Sequence, residues 1–164
     1  MSLLANRLLL ILFAVALATV GVLLVRDGAG PDRDPETLAG TSSVRVTVTE
    51  VVDGDTVVID TGAHVRLIGI DTPEREECGY RAASDALRTL VEGRRITLVN
   101  PESVQDEDSY GRLLRYVDRS GHDAGHDLLR TGLAVARYDS RDGYDPHPRE
   151  ERYRDTDRAI PSVC

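Results

Sequence analysis

Residues 44–71 read VRVTVTEVVDGDTVVIDTGAHVRLIGID, three runs of apolar and β-branched residues separated by two tight turns. Over residues 44–52 valine alternates with polar side chains, the period-two pattern of a strand with one face in a core. Asp53-Gly54-Asp55 interrupts the run, residues 56–60 resume it, Thr61-Gly62 interrupts it again, and residues 64–70 form the third run. Breaks this short predict a meander of three strands.

Downstream the period changes. Ala83, Leu87, Leu90 and Val91 fall on one helical face of residues 80–92, and Gly93 supplies the stop. Residues 94–99 and 112–117 return to strand composition. Asp123 is a good N-cap for a second helix, which ends at Thr131 before Gly132. Pro148 suits the first turn of a third helix, which ends near Ile160 ahead of Pro161. Five short strands interspersed with helices predict an α+β domain over residues 44–164, a five-stranded OB-fold (oligonucleotide-binding) β-barrel with about three helices packed outside it.

Upstream, residues 8–25 (LLLILFAVALATVGVLLV) carry no charge and follow Arg7. The run is longer than the roughly 7–15 residues of a signal-peptide apolar region and just reaches the ~20 needed to span a bilayer. Ala16-Leu17-Ala18 has the small-x-small form of a cleavage site, but apolar sequence follows it. Residues 1–26 are therefore expected to be a hydrophobic helix acting as a signal anchor, with a cleaved signal peptide as the alternative. Residues 27–43 (DGAGPDRDPETLAGTSS) read as a flexible linker. The domain is then expected outside the cell, membrane-anchored or secreted. Two cysteines, Cys78 and Cys164, on an exported chain predict one disulfide.

The chain has 28 acidic residues against 20 basic ones, all arginine, and a net charge of −8. That balance argues against a protein that holds nucleic acid through a broad basic surface. It leaves room for a site that grips one or two phosphates locally, and candidate residues are present. Asp55 sits in the first turn. Asp71-Thr72-Pro73-Glu74 follows the third run, where a turn brings two carboxylates close enough to bind a hard cation or to divide into ligand and base. Arg66 stands among apolar neighbours and needs a partner if its strand packs in a barrel. Tyr110-Gly111-Arg112 opens the fifth strand and offers a second arginine. Arginine forks with carboxylates suit phosphoryl chemistry, in which negative charge must be neutralised before a nucleophile can attack. His122 and His126, four apart, invite a metal reading, but Asp123 caps a helix between them, and both are expected to be surface histidines.

In order, VVDGDTV (residues 51–57), VRLIGIDTPE (residues 65–74) and DSYGRLLRYV (residues 108–117) resemble the thermonuclease family typified by staphylococcal (micrococcal) nuclease. The spacings of 11, 5, 3 and 38 residues that link Asp55, Arg66, Asp71, Glu74 and Arg112 carry the resemblance. It implies that Asp55 and Asp71 bind Ca2+ with the backbone carbonyl of Thr72, and that Glu74 is the general base acting on water. Arg66 and Arg112 would clamp the scissile phosphate, Tyr110 would contact a nucleotide phosphate, and Tyr138 would lie beside the base. The implied activity is a calcium-dependent endonuclease that cuts DNA and RNA and leaves 3′-phosphates, acting as a monomer on nucleic acid. Two departures stand out: residues 75–84 (REECGYRAAS) are shorter than the lysine-rich loop of the best-known member and carry acids and a cysteine, and Ser109 replaces a lysine. Both remove positive charge near the substrate. The alternative is a non-catalytic nucleic-acid-binding OB-fold module at the cell surface.

Overall fold

A computed structural model of the protein describes residues 41–164. The expected anchor, residues 1–26, and all but the last three residues of the expected linker lie outside the described residues. Among the described residues no helix is long and apolar enough to cross a membrane.

The barrel is built around its longest strand. β1 (Thr41–Val51) gives its first half to β5 (Arg95–Pro101), with Thr41 opposite Pro101 and Thr47 opposite Arg95. Its second half pairs with β2 (Thr56–Ile59), with Val48 opposite Ile59 and Val51 opposite Val57. The register slips between Val48 and Glu50, and such an irregularity bends a strand so that one chain can serve two walls of a barrel. β2 continues antiparallel into β3 (His64–Leu67), and β5 into β6 (Leu113–Arg119). Parallel pairing of β3 with β6, Arg66 opposite Leu114, closes the five-stranded barrel. This is the expected OB-fold architecture.

Three differences from the sequence expectation have physical causes. First, β1 starts at Thr41, so Thr41, Ser42 and Ser43 are strand rather than linker; their backbones pair with β5 although their side chains bury little. Second, the expected third strand of residues 64–70 is cut in two: β3 ends at Leu67, and a two-residue β4 (Ile70–Asp71) pairs instead with β8 (Val135–Ala136). Gly69 makes the break. Its φ is +77°, and a β-carbon there would lie 2.5 Å from the ring of His147, so only glycine lets the chain turn at this contact. Third, the last helix starts at Glu150, two residues beyond Pro148.

The helices α1 (Tyr80–Val91), α2 (Ala124–Arg130) and α3 (Glu150–Ala159) pack on the barrel. Ala83, Leu87 and Val91 of α1 are fully buried, while Leu90 lies at the margin of the core. Asp123 caps α2 as expected by accepting the His126 N–H at 3.2 Å. It also accepts the Tyr153 hydroxyl at 2.8 Å and pairs with Arg149, whose guanidinium reaches Asp118 on β6 at 2.6 and 2.7 Å and lies over the Tyr116 ring at 4.0 Å. This network joins α2, α3 and the barrel wall.

Cys78 and Cys164 are bonded, closing a separation of 86 residues. The tail also donates the Val163 N–H to the Gly132 carbonyl at 3.0 Å, so the C-terminus is tied both to the end of α2 and to the loop before α1. Replacing Cys164 by Ser is expected to lower the unfolding free energy by about 2–4 kcal/mol. Guanidinium denaturation of the two proteins checks this, and an unchanged midpoint would contradict it.

Candidate functional site

Arg66, on β3, is buried, with 8% of its surface exposed. Its Nε lies 3.2 Å from Asp55 Oδ1, its Nη2 3.2 Å from Asp71 Oδ1, and its Nη1 donates to the Leu67 carbonyl at 2.9 Å. The three partners come from the β1–β2 turn, β4 and Arg66's own strand. Such coverage is what permits a guanidinium to be buried.

Asp55 is as buried as its partner and is fully engaged. Its Oδ2 accepts the Thr72 N–H at 3.0 Å and the Thr72 hydroxyl at 2.8 Å; its backbone carbonyl accepts the Leu67 N–H at 2.9 Å. Burial pushes the Asp55 carboxyl above its ordinary value, and the Arg66 charge opposes that push. Gly54 is required beside it, because a β-carbon there would lie 2.6 Å from Thr72 Oγ1 and 2.8 Å from Ala83 Cβ. Asp71 is half-exposed, and besides the Arg66 fork its carboxylate lies in hydrogen-bonding reach of the Tyr138 hydroxyl. The ring of Tyr138, held at φ +60°, lies 5.5 Å from the Arg66 guanidinium. Burial, and after it the negative charge of Asp71, raises the Tyr138 hydroxyl pKa, which keeps the phenol protonated.

The structure therefore brings Asp55, Arg66, Asp71, Thr72 and Tyr138 together. Arg112 and Tyr110 form a separate group. Arg112 donates from Nε to Asp108 at 2.7 Å, Tyr110 lies 5.4 Å from the guanidinium and is largely exposed, and the backbone N–H groups of both residues donate to Asp108. Burial opposes ionisation of Asp108, but these hydrogen bonds outweigh it and hold its carboxyl below the ordinary value. Because Leu114 pairs with Arg66, β6 sets Arg112 two residues from that register point. Glu74 stands apart. It is exposed, its N–H donates to Glu77 at 2.7 Å, and its carboxylate meets no partner among the described residues.

The donors at Asp55, Asp71 and Thr72 are all hard oxygens, and the carbonyl of buried Thr72 accepts no hydrogen bond among the described residues. In donor chemistry that set suits an oxygen-loving cation such as Ca2+, and Asp55 would join it by giving up one of the contacts its carboxylate now makes. His126 corrects one expectation: it is half-buried rather than on the surface, stacked on Tyr153 with centroids 6.0 Å apart and bonded to Thr156 at 2.8 Å. His122 is exposed, as expected. Sequence reasoning missed Asp108 as the holder of Arg112, although an acid four residues ahead of the arginine was a usable signal. It also missed Tyr144, which lies edge-on to Tyr138 at 5.4 Å and sits in a polar loop that gave no signal.

The pattern of the family described as "Staphylococcal nuclease homologue" matches residues 64–156. A thermonuclease of Staphylococcus intermedius is 32% identical over 116 residues, covering 65% of this chain and 63% of that protein. A thermonuclease of Staphylococcus hyicus is 31% identical over 100 residues, covering 56% and 58%. The endonuclease YncB of Bacillus subtilis is 37% identical over 108 residues, covering 58% and 49%. The chain thus spans less than two thirds of the length of these curated relatives.

Substituting Arg66 by Gln strands the Asp55 carboxylate in the barrel and is expected to cost about 3–5 kcal/mol of stability. The double variant Asp55→Asn/Arg66→Gln should lose clearly less than the sum of the two single losses. Denaturation midpoints of the four proteins check this; strict additivity would contradict it.

Proposed function

The chain belongs to the staphylococcal nuclease homologue family, and from that membership we propose that it is a calcium-dependent endonuclease hydrolysing phosphodiester bonds in DNA and RNA to leave 3′-phosphate ends. The observation that carries the reading is the buried Arg66 fork, fixed between Asp55 and Asp71 at a site whose remaining donors are all oxygens.

Each residue has a physical task in this reading. Asp55 holds Arg66 in place through a contact that substrate need not disturb. The Nη2 edge, bonded among the described residues only to half-exposed Asp71, can exchange that carboxylate for a phosphate oxygen and stay neutralised. Arg112 reaches the same phosphate by leaving Asp108, and Tyr110 and Tyr138 offer contacts to the phosphate and the base. Asp55, Asp71 and the Thr72 carbonyl would hold Ca2+, which when bound supplies positive charge that stabilises the pentacoordinate phosphate. Glu74, whose carboxylate meets no partner among the described residues, accepts a proton from water as the water oxygen attacks phosphorus. The 5′ oxygen leaves with the bonding pair and is protonated from solvent.

The reading includes an exported monomer tethered by residues 1–26 or released by cleavage. The Cys78–Cys164 bridge supports an oxidising compartment.

Cleavage of single-stranded DNA, with calcium and with chelator, tests the proposal beside a Glu74→Ala variant. Chelation is expected to abolish cutting, and the variant to lose at least about 100-fold in rate. A folded protein that binds DNA without cutting it would overturn the enzyme reading in favour of the binding module.

A further inference from the structure

Three residues that the proposed hydrolysis does not use converge where the segment after β8 meets the start of α3. Asp139, His147 and Glu150 are 1%, 5% and 8% exposed, and one potential ligand atom from each lies within 4.8 Å of the others. His147 Nδ1 is 2.8 Å from the Tyr116 hydroxyl, whereas its Nε2 is buried with no hydrogen-bond partner among the described residues. Buried polar atoms in folded proteins are nearly always satisfied, so a bare nitrogen on a histidine grouped with two carboxylates points to a missing ligand.

We propose that Asp139, His147 and Glu150 form a second metal site, which takes a divalent transition ion of the zinc class through one imidazole nitrogen and two carboxylate oxygens. A mixed nitrogen and oxygen donor set suits zinc, cobalt or manganese, whereas calcium prefers oxygen alone, so this site and the all-oxygen site at Asp55 and Asp71 select different ions.

Both carboxylates are positioned by protein donors, Asp139 by a two-pronged pair with Arg154 that includes Nε to Oδ2, and an ion would have to displace one such contact at each. Glu150 accepts the Ser140 N–H at 3.2 Å and the Ser140 hydroxyl, and Asp139 accepts the Arg141 N–H at 2.9 Å. Arg154 also binds the Asp139 carboxylate, with Nη2 2.6 Å from Oδ1. Its charge offsets one of the two negative ligands, so the expected affinity is moderate. Coordination through Nε2 requires the tautomer in which Nδ1–H donates to Tyr116, the outer-shell bond that commonly orients a ligating histidine. Asp139 directly follows Tyr138, whose ring lies over Arg66, and the ion would fix the backbone that carries that ring.

Cobalt is the probe. The full chain, stripped with chelator and given excess calcium to fill an all-oxygen site, is expected to bind one Co2+ with visible d–d absorption, and Zn2+ should displace it and raise the melting temperature by several degrees. Glu150→Gln, which keeps the shape of the side chain, should abolish the band, as should His147→Ala; Asp55→Asn should leave it intact. Should His147→Ala fail to fold, Glu150→Gln decides. No band from the folded protein, or a band that survives Glu150→Gln and disappears with Asp55→Asn, would overturn the proposal and leave His147 as a structural histidine.

Discussion

A guanidinium placed inside a small barrel must be met by charge from several directions, and the way Arg66 is met organises this protein. Asp55 arrives from the β1–β2 turn and Asp71 from β4, while the carbonyl of Leu67 comes from the same strand. Asp55 is also bound by the backbone and side chain of Thr72, so the first turn and the end of the meander are locked to one another. Loss of Arg66 would leave the Asp55 charge buried without its ionic partner, which is a larger penalty than the pair's own net contribution. The same arrangement is suited to an anion: one edge of the guanidinium is anchored, and the other faces a half-exposed carboxylate.

Barrel closure places this cluster. β3 carries Arg66 and pairs in parallel with β6, whose entry carries Arg112. The slip in β1 gives the strand the bend it needs to pair with both β2 and β5. Gly69 then ends β3 and sends Ile70 and Asp71 to a separate pairing with β8, which ends two residues before Tyr138. A continuous third strand would have carried Asp71 and Thr72 away from Asp55. Backbone freedom at one glycine is thus a condition for the site.

Much of this was legible in the sequence because the signals were local. Alternation over residues 44–60 marked the strands, Asp123 and Gly132 marked the ends of α2, and an arginine among apolar residues advertised a buried partner. Where the cause was long-range, the reading fell short. Ser42 and Ser43 look like linker because their strand character comes from pairing with β5, not from burial. Gly69 was visible as a glycine in an apolar run, but its need comes from His147, 78 positions later in the chain. His126 looks like a surface residue until α3 packs against it. The Asp139, His147 and Glu150 group lies in a stretch so rich in charge that no three residues stand out until the fold buries them.

The central claim is that Arg66 acts as a fixed fork on phosphate and not merely as a buried positive charge. Single-turnover cleavage of DNA by Arg66→Lys separates the two, because lysine keeps the charge and loses the planar, two-pronged geometry. The account expects a folded protein whose rate falls by about 100-fold or more, the size associated with losing one donor to a transition-state oxyanion. A folded Arg66→Lys protein that cuts at nearly the original rate would contradict it.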